Sequence, residues 1–285
     1  MTRKLLVLGG GFGLYGYLPA ALSAGWTVST LEKYSQFIAE RSELQGLRDK
    51  IEFIDERSLN FNDFQGIVIA RTPDLQMHLI RENLQFTGHL FLEKPLGQDM
   101  DSHLAVTRIL EKAAGTFSVG YLFRYQDWYA EVLRASSQNG PMEISWLVVR
   151  NESSSWKSNP VLGGGIISYF GVHLLSLVTD LGFSASTLRI SSDSSSLSIE
   201  SLDQSRPARF VVAFSDSPTF EVQLLERSFS LSSPFGPTPL MGVTDPRVDS
   251  LSKYLSQHFD ANTSRIALEH ESQILKLRQA TVYVM

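Results

Sequence analysis

The chain predicts an α/β protein in which a doubly wound parallel (Rossmann) sheet is followed by an α+β domain with an open, mostly antiparallel sheet. Three observations carry this prediction. Short apolar runs alternate with helical periodicity through the first 120 residues, as buried parallel strands and their crossovers do. After Tyr121 the runs turn into apolar/polar alternations such as ARFVVAFS and TFEVQLLE, the pattern of strands with one wet face. Finally, VLGGGFGLYGYLPAAL passes from strand to glycine turn to helix, which is how a dinucleotide-type sheet opens.

Taken in order, KLLVLG is a strand followed by a helix from about Leu14 to Ala24, and WTVSTLE a strand followed by a helix from about Tyr34 to Leu47. IEFI at 51–54 and GIVIA at 66–70 are strands, and ARTPDLQ turns the chain into a helix from about Asp74 to Leu84. HLFLEKP at 89–95, a helix from Met100 to Ala114 and TFSVGY at 116–121 complete a first domain, 1–119. The second domain, 120–285, begins with a helix near 126–136, then MEISWLVVR, a glycine turn and a helix within GGGIISYFGVHLLSLV. TLRIS, SLSIESLD, ARFVVAFS and TFEVQLLE build its sheet, and two helices occupy about Arg247 to Tyr283. Serines crowd 184–205 and prolines crowd 234–246, which marks surface loops.

Composition narrows the function. At 285 residues the chain exceeds the usual single domain, and 43% hydrophobic with 19% charged residues excludes a disordered chain. Cysteine is absent, which removes disulfides, thiolate catalysis and cysteine-ligated metals together and makes the cytoplasm the expected compartment. A net charge of -5 leaves no footprint for nucleic acid or an anionic membrane. No run approaches the roughly 18 apolar residues of a membrane span, and the N-terminal run dissolves into glycines rather than a cleavage site. No metal site is expected: His258 and His270 are too far apart for one helix face and read as surface residues. No GxSxG elbow supports acyl transfer.

Two strand ends carry chemistry. Gly9 permits a tight turn, Gly11 lets backbone approach a pyrophosphate, and Phe12 and Gly13 lead into a helix start whose N–H groups face its oxygens. The sixth fingerprint position is Leu14, so the pattern is a GxGFG variant. Glu32 ends the second strand, where an acid accepts from ribose hydroxyls and repels a 2′-phosphate. That favours NAD, while Lys33 beside it keeps NADP open. Thr72 and Pro73 close another strand along the expected cofactor path. Glu93 and Lys94 stand at a buried strand's carboxyl end, where open α/β sheets bind ligands and partial burial brings a lysine into acid–base range. In the second domain, Ile166, Phe170, Leu174, Leu177 and Leu181 line one helix face, and Tyr169, His173 and Ser176 fall on another, which presents a phenol and an imidazole together.

In this order the glycine turn, the Thr-Pro turn, EKP, and GGG followed by GVH resemble the glucose–fructose oxidoreductase, inositol dehydrogenase and rhizopine-catabolism (Gfo/Idh/MocA) family over almost the whole chain. VGYLFRY at 119–125 and WKSNPVLGGG at 156–165 add to the likeness. The resemblance implies a nicotinamide domain, a second domain whose open sheet often forms the oligomer contact, and sugars, polyols or related carbonyl compounds as substrates. It implies Lys94 and His173 as the substrate-contacting lysine and the acid–base histidine, with Arg124, Trp156 and Tyr169 beside the substrate. One departure stands out: the family's aspartate four residues before the histidine is Tyr169 here. Either Lys94, Tyr169 and His173 form the reacting set, with a neighbouring ammonium lowering the phenol's pKa, or the scaffold binds cofactor or ligand without turnover. A lyase or hydrolase that recycles tightly held NAD is a third reading.

Overall fold

The computed structural model describes residues 3–150, 156–236 and 245–284. These form two compact units, each assembled from three stretches: 3–96, 105–122 and 245–268 in the first, and 97–104, 123–236 and 269–284 in the second.

The first unit is built on six strands, Lys4–Leu8 (β1), Thr27–Leu31 (β2), Ile51–Ile54 (β3), Gly66–Ile69 (β4), His89–Leu92 (β5) and Thr116–Val119 (β6). All pair in parallel, in the order β3-β2-β1-β4-β5-β6, the doubly wound order with its reversal beside β1. The four inner strands are nearly continuous runs of buried residues, whereas the edge strand β3 buries only Ile51 fully. The glycine turn continues into a π-helical turn, Gly13–Tyr17, and then α1, Leu18–Ser23, with Pro19 at its start, where a missing N–H costs nothing. The expected helix over 34–47 is broken at Arg41, whose extended backbone separates α2, Ser35–Glu40, from α3, Ser42–Gln45. Pro73–Glu82 (α4) and Met100–Leu110 (α5) follow β4 and β5.

The second unit carries seven strands, Met142–Val148 (β7), Leu188–Ser192 (β8), Ser196–Ser201 (β9), Ala208–Phe214 (β10), Thr219–Leu224 (β11), Ser228–Leu231 (β12) and Thr281–Tyr283 (β13). Their order is β12-β11-β7-β10-β9-β8-β13, with four antiparallel and two parallel pairings. Alternate residues are buried, among them Ile144, Trp146, Phe210, Val212, Leu197, Ile199, Phe220 and Val222, and their neighbours lie on the open face. Asp127–Ser137 (α6) precedes the sheet; a π-helical turn, Ile166–Gly171, leads into α7, Val172–Asp180.

Compactness does not follow the single cut after residue 119. Arg247–Leu255 (α8) packs on α1, and the Trp26 indole donates to the Leu255 carbonyl at 3.0 Å, so this late helix belongs to the first unit. Ala261–Gln279 (α9) follows. Much of the serine-rich stretch 184–205 is strand rather than loop, because its serines alternate with buried Leu188, Ile190, Leu197 and Ile199. Of the proline-rich stretch, residues 237–244 lie outside the described residues. The short strands β12 and β13 were not visible as alternations.

Candidate functional site

In the first unit the glycine turn is shaped by what each position must avoid. A Cβ on Gly9 would lie 2.3 Å from the Ala70 carbonyl oxygen, so β4 closes on the turn there. On Gly11 it would meet none of the described residues within 4 Å. The turn therefore opens at Gly11, directly before a helix start, which fits a dinucleotide pyrophosphate. Gly13 would bring a Cβ to 3.4 Å from that of Ala70. Phe12 lies back over Gly16 and meets the Tyr17 ring edge-on at 5.6 Å. Tyr34, just past β2, packs its ring over Gly10, with the Arg71 guanidinium 5.9 Å from the same ring. Glu32 is exposed and accepts from the Ser35 hydroxyl at 3.2 Å. The Lys33 ammonium is 2.7 Å from Glu56. Thr72 caps α4 by position, without a side-chain bond, and Pro73 is its first residue.

The EKP turn after β5 is held by neutral groups. Gln76, fully buried, uses both ends of its amide: it donates to the Glu93 carbonyl at 2.8 Å and accepts from the Glu93 N–H at 2.9 Å. Tyr17, also fully buried, donates to Glu93 Oε1 at 2.7 Å. Gly120 makes room for this contact, since its Cβ would fall 2.8 Å from the Tyr17 hydroxyl. Lys94 is half-buried, and the Lys94–Pro95 bond is cis. Gln76 and Tyr17 belong to no sequence motif; a glutamine on the apolar face of α4 is the available signal.

In the second unit, Trp156 and Tyr169 come together, with ring centroids 5.6 Å apart and edge-on. The Lys157 ammonium lies 5.4 Å from the Tyr169 ring. Gly164 permits this, because a Cβ there would strike the Trp156 and Lys157 carbonyls. Tyr169, Lys157, Ser168, Phe214 and Arg278 line a cavity of about 970 Å³ within this unit, large enough for a sugar-sized ligand. His173 has different company. It is 3% exposed, stacks on Phe123 at 4.9 Å, and has Trp146 and Phe235 around it.

The expected split of α7 into a core face and a polar face is corrected: every residue from 172 to 178 is buried. The helix is covered on both sides, so His173 and Ser176 sit inside the unit. Arg124 is engaged elsewhere than on the Tyr169 cluster, with Nε and Nη2 donating to the two oxygens of Asp180 at 2.8 and 2.7 Å. Tyr129 donates to Asp180 at 2.6 Å, and His270 Nε2 lies 3.2 Å from the same carboxylate.

His270 is thus not the surface residue expected; it is 8% exposed. Its ring continues to Glu271, which meets His103 at 2.9 Å, and Arg278 reaches both His103, at 3.5 Å, and Ser168, at 3.2 Å. Burial would raise the Asp180 carboxyl, but hydrogen bonds from His270 and Arg124 outweigh it and hold the group below the usual range. Glu271 is likewise opposed by burial yet drawn down to about 2 by His103 and His270. His270 is pushed down by burial and, more strongly, up by Asp180 and Glu271. Among the described residues, no group of three or more histidine or carboxylate side chains is placed to hold a metal ion, and no helix is long and apolar enough to cross a membrane.

Comparison with known proteins places this architecture. No family model and no curated protein matches the sequence. Among solved structures, the WlbA dehydrogenase from Thermus thermophilus, in complex with NAD and UDP-GlcNAcA, aligns with a TM-score of 0.70 at 14% identity, over 100% of this chain and 96% of that one. The 3-ketoreductase KijD10 from Actinomadura kijaniata, with NADP and TDP-benzene, aligns at 0.67 and 12% identity over the full length of both chains. A putative myo-inositol dehydrogenase from Sinorhizobium meliloti aligns at 0.67 and 15%, covering 99% and 96%. The chain shares the fold of these enzymes. It is the architecture that the sequence resemblance predicts, a six-stranded parallel sheet joined to a mixed, mostly antiparallel one.

Proposed function

We propose that the chain is a nicotinamide-dependent oxidoreductase acting on a secondary alcohol or ketone of a sugar-like or polyol substrate. The observation that carries this is the Gly11 opening at a helix start, in a sheet of order 3-2-1-4-5-6 whose β5, two strands from β1, ends in Lys94 on a doubly anchored turn. Gly9, Gly11, Phe12, Gly13, Glu32, Thr72, Pro73, Glu93 and Lys94 would hold the cofactor. Glu32 favours NAD, and pairing of Lys33 with Glu56 directs that positive charge towards a carboxylate; NADP stays open. Bound nicotinamide would supply the hydride chemistry.

Lys94 would then polarise the substrate oxygen, and orientation plus a preset electrostatic site would supply most of the acceleration. Tyr169 would carry the proton in place of the family's aspartate, with Trp156 flanking the sugar ring. His173 and Arg124 complete the proposed substrate-side set, although His173 is buried in the second unit and the partly exposed Arg124 is paired with Asp180. Association through the open face of the seven-stranded sheet and a cytoplasmic setting belong to the same proposal. A panel of polyols, aldoses and keto sugars with NAD(H) and NADP(H) tests the assignment. Lys94→Met should lower turnover about 10²- to 10⁴-fold with NADH affinity nearly unchanged. Persisting activity would remove Lys94 from its role, and Tyr169→Phe asks the same of the phenol.

A second reading, a binding protein without turnover, is favoured by one observation: the acid–base histidine is packed between aromatic rings at 3% exposure, and its aspartate is a tyrosine. Tight NADH binding with no turnover across the panel would select it.

A further inference from the structure

We infer that Arg247 is a cofactor-contacting residue that supplies the cation for the pyrophosphate at the glycine turn, and that Asp245 positions it. The inference rests on the proposal that this turn holds a dinucleotide, and both residues belong to the same compact unit as the turn. The Arg247 guanidinium lies over the Phe12 ring, 4.1 Å from its centroid. Phe12 is in turn seated on Gly16 and against Tyr17, which is tied to Glu93. The ring is therefore clamped between the start of the first crossover helix and an arginine more than 230 positions later in the chain. The guanidinium thus covers the side chain of the residue that follows Gly11.

The guanidinium is fixed before any ligand arrives. The Asp245 side chain is fully buried, takes the Nε and Nη2 edge of Arg247 at 3.0 and 2.6 Å, and also accepts from the Arg247 backbone N–H at 2.9 Å. Its carboxylate thus sets the plane of the guanidinium while capping α8. The Phe12 ring orients one face of that plane, an arrangement in which arginine and not lysine is at home. A guanidinium has five N–H donors, and a planar, preoriented fork matches phosphate oxygens in pairs. At the same spot, the helix start favours negative charge through its N–H groups. With Phe12 unclamped, the amide beside Gly11 would lose its fixed direction, so the same contact also steadies the backbone half of the site.

The test uses the full chain and two probes that differ only in phosphate. ADP and adenosine are titrated against the wild type, Arg247→Gln, Arg247→Lys and Asp245→Asn, by competition with NADH fluorescence, with thermal melts as the folding control. We expect Arg247→Gln to weaken ADP and NADH binding at least tenfold and leave adenosine unchanged, with Arg247→Lys and Asp245→Asn intermediate. The salt dependence of ADP binding should also flatten in Arg247→Gln. ADP affinity equal to wild type, or equal losses for ADP and adenosine, would overturn the inference and leave the dinucleotide reading standing. A wild type that binds neither NADH nor ADP would take down both.

Discussion

Two buried histidines, one in each unit, are shifted in opposite directions. His89 in β5 stacks on Phe259 at 3.9 Å and reaches only hydroxyls, those of Thr116 and Ser118, each at 2.8 Å. Burial pushes its pKa down to about 3, so it is neutral. His270 in α9 is as buried but lies between Asp180 and Glu271, which raise its pKa. The first unit fixes its working turns with neutral donors and acceptors, Gln76 and Tyr17 on Glu93, while the second links ionisable groups in a chain from Arg124 to Arg278. Environment, not residue type, sets the charge. In a low-dielectric interior a buried ion must have partners, whereas a buried neutral imidazole needs only hydrogen bonds.

The largest break of this contrast is removal of Asp180. Asp180→Ala leaves the buried His270 and the partly exposed Arg124 without their carboxylate and should cost about 3–5 kcal/mol in denaturant unfolding. A loss below about 1 kcal/mol would mean that the ionic chain does not hold the second unit together.

The pH profile sharpens the contrast next. His89 has a lowered folded pKa, so its stabilising contribution is complete above 6.5 and falls as pH drops towards 3, at up to about 1.4 kcal/mol per pH unit. His270 has a raised one, so its contribution is complete below 6.5 and is lost as pH rises through its folded value. Glu271 adds stability above its ordinary 4.5 that is lost as pH falls to about 2. Between pH 7.5 and 5.5, hydrogen exchange should therefore quicken in β5 and β6 while α7 and α9 keep their protection. A parallel loss in both units would contradict the opposite shifts. The smallest effect belongs to the exposed pair Lys33–Glu56: Glu56→Gln should move stability by less than about 1 kcal/mol, and a larger change would show that exposure is not what separates the two kinds of ion pair.

The same contrast explains what was legible in the sequence. Strands of the parallel sheet announce themselves as apolar runs, and Gly9, Gly11, Glu93 and Lys94 stand at strand ends where local order determines position, so both are readable from the sequence. The ionic chain was not. Arg124, Asp180, His270 and Arg278 lie on three helical segments and meet only through tertiary packing, and a histidine in a polar helix such as α9 carries no periodic mark of burial. The Tyr169–Trp156 contact was foreshadowed by the glycines, yet His173 and Ser176 were placed on a polar face because periodicity cannot reveal that a helix is covered on both sides. Edge strands such as β12 and β13, three or four residues long, fall below the length at which alternation can be recognised.

The account stands or falls on the glycine turn. Titration of the intact chain with NAD, NADH, NADP and NADPH, followed by tryptophan fluorescence and thermal shift, measures it directly. Saturable binding of at least one nucleotide that is lost in Gly11→Ala, where the added methyl meets none of the described residues within 4 Å and stability should hold within about 0.5 kcal/mol, is the predicted result. No response to any of the four, or undiminished binding in Gly11→Ala, would contradict it.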